Sequence, residues 1–376
     1  MSAVYRISDE FRRRVAAAER AARAPAGPAA VPVGPLIENL LTARMLINRQ
    51  FEPRGELIPG LVREGETILF VGRPKVGKSR LLDQLALSLV SATPFFDLEI
   101  PQKKRVLYLD IENKPHEVRN RLLSIGQDRA AVDNFVLYTP EELCQNRADL
   151  SRADGMALVL RMLDLARPDL LVIDTLRLFM GARWDERRSD QVLMMYNKIS
   201  ELRQRFPRLV VILVHHLRKT DFKTKISLRI DPAGWIEGAS GHYSLIGHSE
   251  VIWGFDRELQ PDGSEQIVFN GKARNLVVPL FLLEDLPDMS YRRLQGEEFA
   301  KSMMSSKEQT AWECAKEMRH FRFDELEKTA QIPARIVAGM VKKAQSLGIL
   351  DYAQGKYFVR VSEPRTGFFW EDKDSS

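Results

Sequence analysis

Cysteine is almost missing from this 376-residue sequence. Its two cysteines, Cys144 and Cys314, lie far apart, so neither a disulfide framework nor a zinc site is indicated. Long apolar runs are missing too, since no stretch approaches the roughly 18 residues that a membrane span needs. The start of the chain has Arg12-Arg13-Arg14 followed by alanines and lacks the apolar core of a secretory signal. We therefore expect a cytoplasmic protein.

Charge of one sign does not dominate the composition. Lysine and arginine exceed aspartate and glutamate only enough to give a formal charge of +5 and a pI near 9.1. That excess permits nucleic-acid binding but does not establish it. The length predicts a sizeable core domain with one or two small appendages.

A glycine-rich loop is the most specific feature present. It lies between the apolar run 67–71 and a helical pattern that starts at Leu81, and this order of strand, turn and helix is what a phosphate-binding loop requires. Lys78 would contact the β- and γ-phosphates of ATP, and the Ser79 hydroxyl would bind Mg²⁺. The loop comprises Gly72, Arg73, Pro74, Lys75, Val76, Gly77, Lys78, Ser79 and Arg80.

The pattern along the chain predicts an α/β fold: a mostly parallel sheet with flanking helices, plus a small C-terminal winged-helix-like domain. Strands are expected at 67–71, 105–110, 135–138, 170–174, 209–214, 250–255 and 266–270. Helices are expected between the first five, and the last two strands look antiparallel because no helix separates them. The predicted domains are a flexible arm and linker (1–35), a linker helix (36–56), the core (57–285), a linker (286–306), the winged-helix-like domain (307–361) and a tail (362–376).

The C-terminal region combines helical segments with a short hairpin. Helices are expected at 308–318, 323–330 and 335–347, followed by strands at 350–353 and 357–361. Two or three helices followed by a hairpin are typical of a winged helix-turn-helix, although a generic helical cap has the same layout.

Two acidic residues follow predicted strands of the core. Asp174 ends the run Leu170–Ile173, where a carboxylate can hold Mg²⁺ opposite Ser79. Glu112 lies beyond the end of a neighbouring strand and could activate the attacking water. Asp110 competes for that role, and either acid could simply cap the following helix.

Two histidines end the strand 210–214. His215 could contact the γ-phosphate and report its loss; the alternatives are a zinc site or an ordinary strand end. Because adjacent residues of a strand point to opposite faces, His215 and His216 cannot easily share one metal.

Two basic loops follow core strands and are candidate sites for DNA, although solvated surface charge is the ordinary explanation for each. Their cations are Arg183, Arg187 and Arg188 in the first loop and Arg218, Lys219, Lys223, Lys225 and Arg229 in the second. Lys272 and Arg274 end a later strand with the two-residue spacing that projects both from one face. In a ring of subunits they could meet a neighbour's γ-phosphate, or they could be ordinary exposed cations.

In this order, the elements resemble the RecA-type P-loop ATPase superfamily, and specifically its plasmid RepA-like hexameric replicative helicase branch, alongside DnaB and KaiC. The segment 57–65 leading into the phosphate loop resembles that branch closely. The resemblance implies that Glu112 is the catalytic base and that Lys272 and Arg274 act on the adjacent subunit. It departs from the family at Glu250, where aspartate is usual, and at the histidine sensor, where several relatives have glutamine.

The resemblance implies a Mg²⁺-dependent ATPase that assembles head to tail and moves on, unwinds or remodels DNA, single-stranded DNA more than duplex at the core. The alternative is an ATP-dependent oligomeric switch or loader that recruits a partner with little motor activity. The sequence does not choose between a ring and a filament. The aromatic and acidic tail 368–372 could be a docking peptide or a disordered end.

Overall fold

The computed structural model describes residues 42–51, 53–126, 132–139, 149–181, 184–217, 226–238, 243–260, 263–274 and 276–360. The chain divides into two compact units, residues 1–53 and 54–376. In the first unit, helix α1 (Ala43–Ile47) begins at Thr42, whose hydroxyl accepts a hydrogen bond from the Met45 N–H at 3.2 Å. This is the part of the predicted 36–56 helix that the structure describes as helical. The predicted arm (1–35) and tail (362–376) lie outside the described residues.

The second unit contains a central sheet of nine strands, a two-stranded hairpin before it and a small sheet near the C-terminus. Its strands are β1 (Glu56–Ile58), β2 (Val62–Arg63), β3 (Thr67–Gly72), β4 (Val106–Asp110), β5 (Phe135–Tyr138), β6 (Leu170–Asp174), β7 (Val210–His216), β8 (Val251–Leu259), β9 (Glu265–Ala273), β10 (Phe281–Asp285), β11 (Tyr291–Arg293), β12 (His320–Phe321), β13 (Leu350–Ala353) and β14 (Lys356–Val359).

The helices of this unit connect and cover the strands. They are α2 (Lys78–Ser91), α3 (Pro115–Ile125), α4 (Ala153–Ala166), α5 (Leu176–Phe179), α6 (Ser189–Arg205), α7 (Pro232–Ile236), α8 (Ser244–His248), α9 (Gly296–Ser302), α10 (Ser306–Met318), α11 (Phe323–Ala330) and α12 (Ala334–Ser346). Among the residues that the structure describes, no helix combines the length and the apolar character needed to cross a membrane.

The central sheet has the order β11-β10-β9-β8-β3-β7-β6-β4-β5, and its six strands from β8 to β5 are parallel. Alternate residues of β3 face opposite sides: Phe70 packs in the cluster that contains α2, whereas Leu69 packs in the cluster that contains α4 and α6. Burial on both faces explains why these strands have uninterrupted apolar sequences. The predicted mostly parallel sheet with flanking helices is confirmed.

Three antiparallel strands extend the sheet beyond β8. The predicted antiparallel pairing of β8 with β9 is confirmed, and β10 and β11 continue it. The prediction that residues 286–306 form a linker is wrong, because they contain β11 and α9. The segment looked like a linker because only Tyr291 supplies a buried aromatic anchor in β11, while Arg292 is paired at 2.7 Å with both Glu284 and Glu298.

The C-terminal part consists of helices α10, α11 and α12 and the sheet β12-β14-β13. A separate apolar cluster, centred on Trp312, Phe321 and Met340, holds these elements together. The helices and the hairpin lie close to their predicted positions, and β12 adds a short strand between α10 and α11. Their interpretation as a winged helix-turn-helix stays a prediction.

Candidate active site

The loop between β3 and α2 has a backbone that only glycine fits at two positions. A Cβ at Gly72 would lie 2.6 Å from the Phe255 carbonyl oxygen. Gly77 has φ of 110°, and a Cβ there would lie 2.0 Å from the Tyr291 hydroxyl. The two glycines therefore allow the loop backbone to pack closely against Phe255 and Tyr291. The loop leads directly into the N-terminus of α2, where backbone N–H groups without a partner in the helix favour binding of an anion.

Lys78 is the buried cation of this loop, with only 5% of its surface exposed. Its Nζ donates to the carbonyl oxygens of Gly72 at 3.0 Å and Arg73 at 2.9 Å. Burial lowers the pKa of Lys78 to about 8, although the nearby carboxylates of Asp174 and Glu112 oppose the shift. A partly desolvated ammonium group beside a helix N-terminus is well suited to bind phosphate.

Ser79 and Asp174 meet as the sequence predicted. The Ser79 hydroxyl donates to Asp174 Oδ2 at 2.7 Å, and the buried Tyr108 hydroxyl donates to the same oxygen at 2.8 Å. Asp174 Oδ1 is buried and has no hydrogen-bond partner in the described structure. Burial raises the pKa of Asp174, while the two hydroxyl groups oppose that shift.

This donor set fits Mg²⁺ bound together with phosphate. One carboxylate and one hydroxyl are few ligands, but Mg²⁺ in such sites takes its remaining oxygens from phosphate and water. Within the described ranges, no three His, Cys, Asp or Glu residues group as a metal site made of protein ligands alone would require. Asp174 Oδ1 is a buried acceptor that still needs a donor or a cation.

The structure separates the two acids that competed for the role of base. Asp110 is fully buried, and its Oδ1 accepts hydrogen bonds from the N–H groups of Glu112 at 3.1 Å and Asn113 at 2.9 Å. Asp110 therefore caps the turn after β4, whereas the Glu112 side chain is 49% exposed at the edge where β3, β6 and β7 end. Burial and the nearby Asp174 raise the pKa of Glu112.

His216, rather than His215, lies beside the phosphate-binding loop. His216 Nδ1 is 3.3 Å from Lys78 Nζ, and His216 Nε2 is 3.9 Å from Glu112 Oε2. Burial, with the Lys78 charge as a second cause, lowers the pKa of His216 to about 4, so its ring is neutral near pH 7. His215 is 2% exposed and has its Nε2 3.9 Å from Glu186. Since neighbouring strand residues face opposite sides, His215 lies on the other face of β7, and its sensor role stays a prediction.

Charged and aromatic residues hold the loop from the side of β8, β10 and β11. Arg257 donates to the Val76 carbonyl oxygen at 3.3 Å and pairs with Asp285 at 2.6 Å. Arg80 also pairs with Asp285, and its guanidinium lies 4.0 Å from the centroid of the Tyr291 ring. Arg80 therefore stabilises the loop through these contacts. That Arg80 also contacts the nucleotide stays a prediction.

The residues predicted to bind nucleic acid differ in their exposure and in their intramolecular partners. Arg187 and Arg188 are exposed, and each pairs with a neighbouring acid, Asp185 at 3.0 Å and Asp190 at 2.7 Å. Arg229 is partly buried and donates to the Ser302 carbonyl oxygen at 3.0 Å, a contact between the core and α9, and its role in DNA binding stays a prediction. The remaining members lie outside the described residues: Arg183, Arg218, Lys219, Lys223 and Lys225.

Lys272 and Arg274 are exposed and lie away from the loop of their own chain. Because β9 runs antiparallel to β8, Lys272 pairs with Ile252 near the start of β8, whereas Gly72 pairs with Phe255. Three residues of strand separate these levels by about 10 Å. Arg274 lines a charged cavity of about 460 Å³ at this opposite edge, where its guanidinium donates to the Gly247 carbonyl oxygen.

Four contributors to the site were not found from sequence. Tyr108 and His216 reach the site because their side chains lie on the strand face that α2 covers. A strand with two apolar faces gives no sequence signal that tells which face this is. Asp83 and Arg121 form a buried ion pair at 2.6 Å between α2 and α3. The available signal for Asp83 was a charged residue inside the apolar pattern 81–87, four residues after Ser79.

The loop, the buried carboxylate at the end of β6 and the parallel sheet define a P-loop nucleotide-binding protein. The AAA_25 family model, described as an AAA domain, matches residues 35–221, slightly less than half of the chain. The mostly parallel sheet and this match agree with the predicted RecA-like P-loop class. The curated proteins contain no match to the sequence.

Several solved structures are similar to this chain. They include a KaiC-like protein from the hyperthermophilic archaeon Pyrococcus horikoshii, with 12% identity, a TM-score of 0.45 and coverage of 64% of this chain and 99% of that one. The flagellar accessory protein FlaH from Methanocaldococcus jannaschii has 9% identity, a TM-score of 0.42 and coverage of 62% and 91%. The RadB recombinase has 16% identity, a TM-score of 0.40 and coverage of 62% and 92%. Similarity at this level says nothing about the activity or partners of this chain.

Proposed function

We propose that this protein is a Mg²⁺-dependent ATPase that assembles head to tail and couples ATP hydrolysis to translocation on DNA, unwinding or remodelling. The observation that carries the proposal is the convergence of Lys78, the Ser79–Asp174 pair, Glu112 and His216 at one edge of the parallel sheet. These groups supply the phosphate cation, the metal ligands, the base and a sensor.

ATP and Mg²⁺ would be held by groups that already have the required chemistry. Lys78 would exchange its carbonyl contacts for phosphate oxygens, and Ser79 with Asp174 Oδ1 would hold the metal. Bound Mg²⁺ neutralises charge on the phosphates. The Tyr108 hydroxyl keeps Asp174 Oδ2 engaged, so Oδ1 is the oxygen that stays available.

Glu112 is the proposed general base. Its exposed carboxylate lies at the same edge as Lys78, and the backbone N–H of Glu112 is fixed by Asp110. A carboxylate with a raised pKa is a stronger base for water than an ordinary glutamate carboxylate. His216, 3.9 Å from Glu112 and 3.3 Å from Lys78, links the base to the phosphate cation.

Head-to-tail assembly is supported by the position of Lys272 and Arg274. They lie at the sheet edge opposite to the loop of their own chain, so a role at a γ-phosphate requires a second copy. A repeated contact between unlike surfaces closes into a ring or continues as a filament.

The proposal that DNA is the partner is supported by exposed cations. Arg187 and Arg188 follow the helix after β6, and α12 exposes Arg335 and Lys342 on its outer side. In a winged helix-turn-helix the corresponding helix enters a DNA groove.

The second candidate function is an ATP-dependent switch or loader with little motor activity. It is favoured by two observations: Arg187, Arg188 and Arg229 have intramolecular partners, and β11 connects the loop to the C-terminal part. Tyr291 of β11 donates to the Gly77 carbonyl oxygen at 3.4 Å, and the next residue, Arg292, pairs with Glu298 of α9.

The ATP hydrolysis rate with and without single-stranded DNA separates the two functions. A motor predicts a DNA-dependent increase in the rate and ATP-dependent displacement of a paired strand. A switch predicts ATP-dependent assembly with a rate that DNA does not change. Absence of hydrolysis under every condition of assembly contradicts the first proposal.

A further inference from the structure

A chain of polar contacts joins the helix that follows the phosphate loop to the turn that carries Glu112. Asp83 lies on α2, four residues after Ser79, and is fully buried. Its Oδ2 accepts a hydrogen bond from Arg121 Nε of α3 at 2.6 Å. Asp83 thus connects the fixed part of the nucleotide site to the neighbouring helix.

Arg121 continues the chain toward the turn after β4. Its Nη1 donates to Asn113 Oδ1 at 3.3 Å, and its Nη2 lies 3.8 Å from Asp110 Oδ2. The Asn113 amide nitrogen donates to both oxygens of Asp110 at 3.0 Å. Asp110 in turn accepts from the backbone N–H of Glu112.

Arg121 is the central residue of this series of polar contacts, because it is the cation between two buried acids. Asp83 and Asp110 are both fully buried, and the Arg121 guanidinium lies beside each of them, at 2.6 Å and 3.8 Å. The guanidinium is planar and presents several donors in a fixed arrangement, so it can engage Asp83 and Asn113 at once. A lysine ammonium keeps the charge but lacks that geometry.

We propose that Arg121, held by Asp83, is a positioning residue that fixes the turn carrying Glu112 relative to Lys78 and Ser79. The Glu112 carboxylate itself is half exposed, and its Oε2 lies 3.9 Å from His216 Nε2. Its location therefore depends mainly on its backbone, which the Asp83–Arg121–Asn113–Asp110 chain holds. This inference rests on the proposed function, because it assigns Arg121 to the hydrolysis step.

The direct test compares Arg121→Lys with wild type in the full-length protein, with and without Glu112→Gln. The measurements are kcat for ATP, affinity for a fluorescent ATP analogue and thermal unfolding. Arg119→Lys is the matched control, because Arg119 lies on the same helix and is exposed. Because misplacement of a reacting group by about 1 Å can cost roughly 100-fold, we expect R121K to lower kcat at least about ten-fold.

Affinity for the analogue should change less than about two-fold, since the loop itself is untouched, and R119K should resemble wild type. In the Glu112→Gln background, R121K should lower the residual rate little, because a residue that acts through Glu112 has nothing left to position. Asn113→Ala breaks the chain without removing charge and gives the same readouts if R121K does not fold.

Each other outcome overturns the inference. They are a normal kcat in R121K, an equal loss of kcat with and without Glu112, and a loss of analogue affinity that parallels the loss of rate. Normal hydrolysis by N113A also overturns it when R121K is unfolded. Failure of the proposed function is distinguishable, because it shows as a wild-type protein that does not hydrolyse ATP or as an E112Q variant with the wild-type rate.

Discussion

At the residue scale, burial sets the protonation of the groups around Lys78. It lowers the pKa of Lys78 to about 8 and of His216 to about 4, and it raises the pKa of Glu112. Near pH 7 these pKa values give a charged lysine and a neutral histidine beside the Glu112 carboxyl group. The charged lysine is the form that phosphate binding needs, and the raised pKa makes the ionised Glu112 carboxylate a stronger base.

Glu112→Gln tests the base. The amide keeps the size of the side chain but cannot accept a proton, so kcat should fall by about 100-fold or more while ATP still binds. Steady-state hydrolysis and binding of a fluorescent analogue measure the two effects. Glu99→Gln, a change of another exposed acid, should leave both unchanged; a wild-type rate in E112Q would remove Glu112 from the mechanism.

The pH dependence of ATP affinity tests Lys78. The ammonium form binds phosphate, and a pKa of about 8 means that this form is lost as pH rises through 8. Wild-type affinity should therefore fall between pH 7 and pH 9, by at most about ten-fold per pH unit because one proton is linked to binding. Lys78→Arg stays charged over this range and should show a flat profile. Parallel profiles for the two proteins would contradict the assignment.

The rate should also depend on pH on the acid side. A general base must be ionised, and the raised pKa of Glu112 means that its carboxylate is lost at a higher pH than for an ordinary glutamate. We expect kcat to fall as pH decreases through that raised value. This decrease of kcat at low pH should be absent from the residual activity of Glu112→Gln. If it persists in that variant, another group causes it.

At the element scale, the loop is fixed by strands on the far side of β8 as much as by β3 and α2. Gly77 is where this matters most, because its φ is 110° and the Tyr291 hydroxyl of β11 occupies the space that a Cβ would take. The loop conformation therefore depends on a short strand that is more than 200 residues away in sequence.

Gly77→Ala should destabilise the protein and abolish ATP binding. Left-handed backbone at a residue with a Cβ costs about 1–2 kcal/mol, to which the clash with Tyr291 adds. Thermal unfolding measures the loss. Adding Tyr291→Phe removes the hydroxyl, so that the nearest ring atom, Cζ, lies 3.3 Å from the new Cβ. The double variant should therefore regain part of the lost stability. Gly247→Ala, where a Cβ meets no atom within 4 Å, should be neutral, and a neutral G77A would show that the loop is not packed in this way.

The elements that could be predicted from sequence are those with strong local signals. Strands β3, β4, β6 and β7 have continuous apolar runs, and the loop has its glycines and Lys78 at fixed spacing. Strand β11 could not be predicted, because its three residues include one buried side chain and its pairing partner is set by tertiary contacts. Which of His215 and His216 lies beside Lys78 could not be predicted for a related reason: both faces of β7 are buried, so the sequence did not indicate the face covered by α2.

At the scale of the whole molecule, the nucleotide loop lies at one end of the strands of the central sheet, and the Lys272–Arg274 pair lies at the opposite end. In the proposed head-to-tail assembly, this arrangement would let one surface of a subunit serve the site of the next. The family match and the fold agree with a RecA-like P-loop protein, while ATP hydrolysis, the assembly and the DNA partner are our proposals.

Mixing two inactive variants tests the arrangement between subunits. Glu112→Gln lacks the base but keeps its cations, whereas Lys272→Ala with Arg274→Ala keeps the base and lacks the cations. In a random equal mixture of a head-to-tail assembly, about a quarter of the sites combine an intact base with intact cations from the neighbour. Hydrolysis should recover to that fraction of wild type, and a mixture no more active than its components would exclude the role in trans.

The most direct measurement is a calorimetric titration of the purified protein with ATP in Mg²⁺ buffer, repeated with Lys78→Ala. The wild-type protein should bind one ATP per chain, and the binding should weaken strongly when Mg²⁺ is removed or Lys78 is replaced. Wild-type protein that binds no ATP, or a Lys78→Ala variant that binds it equally well, would contradict the nucleotide site.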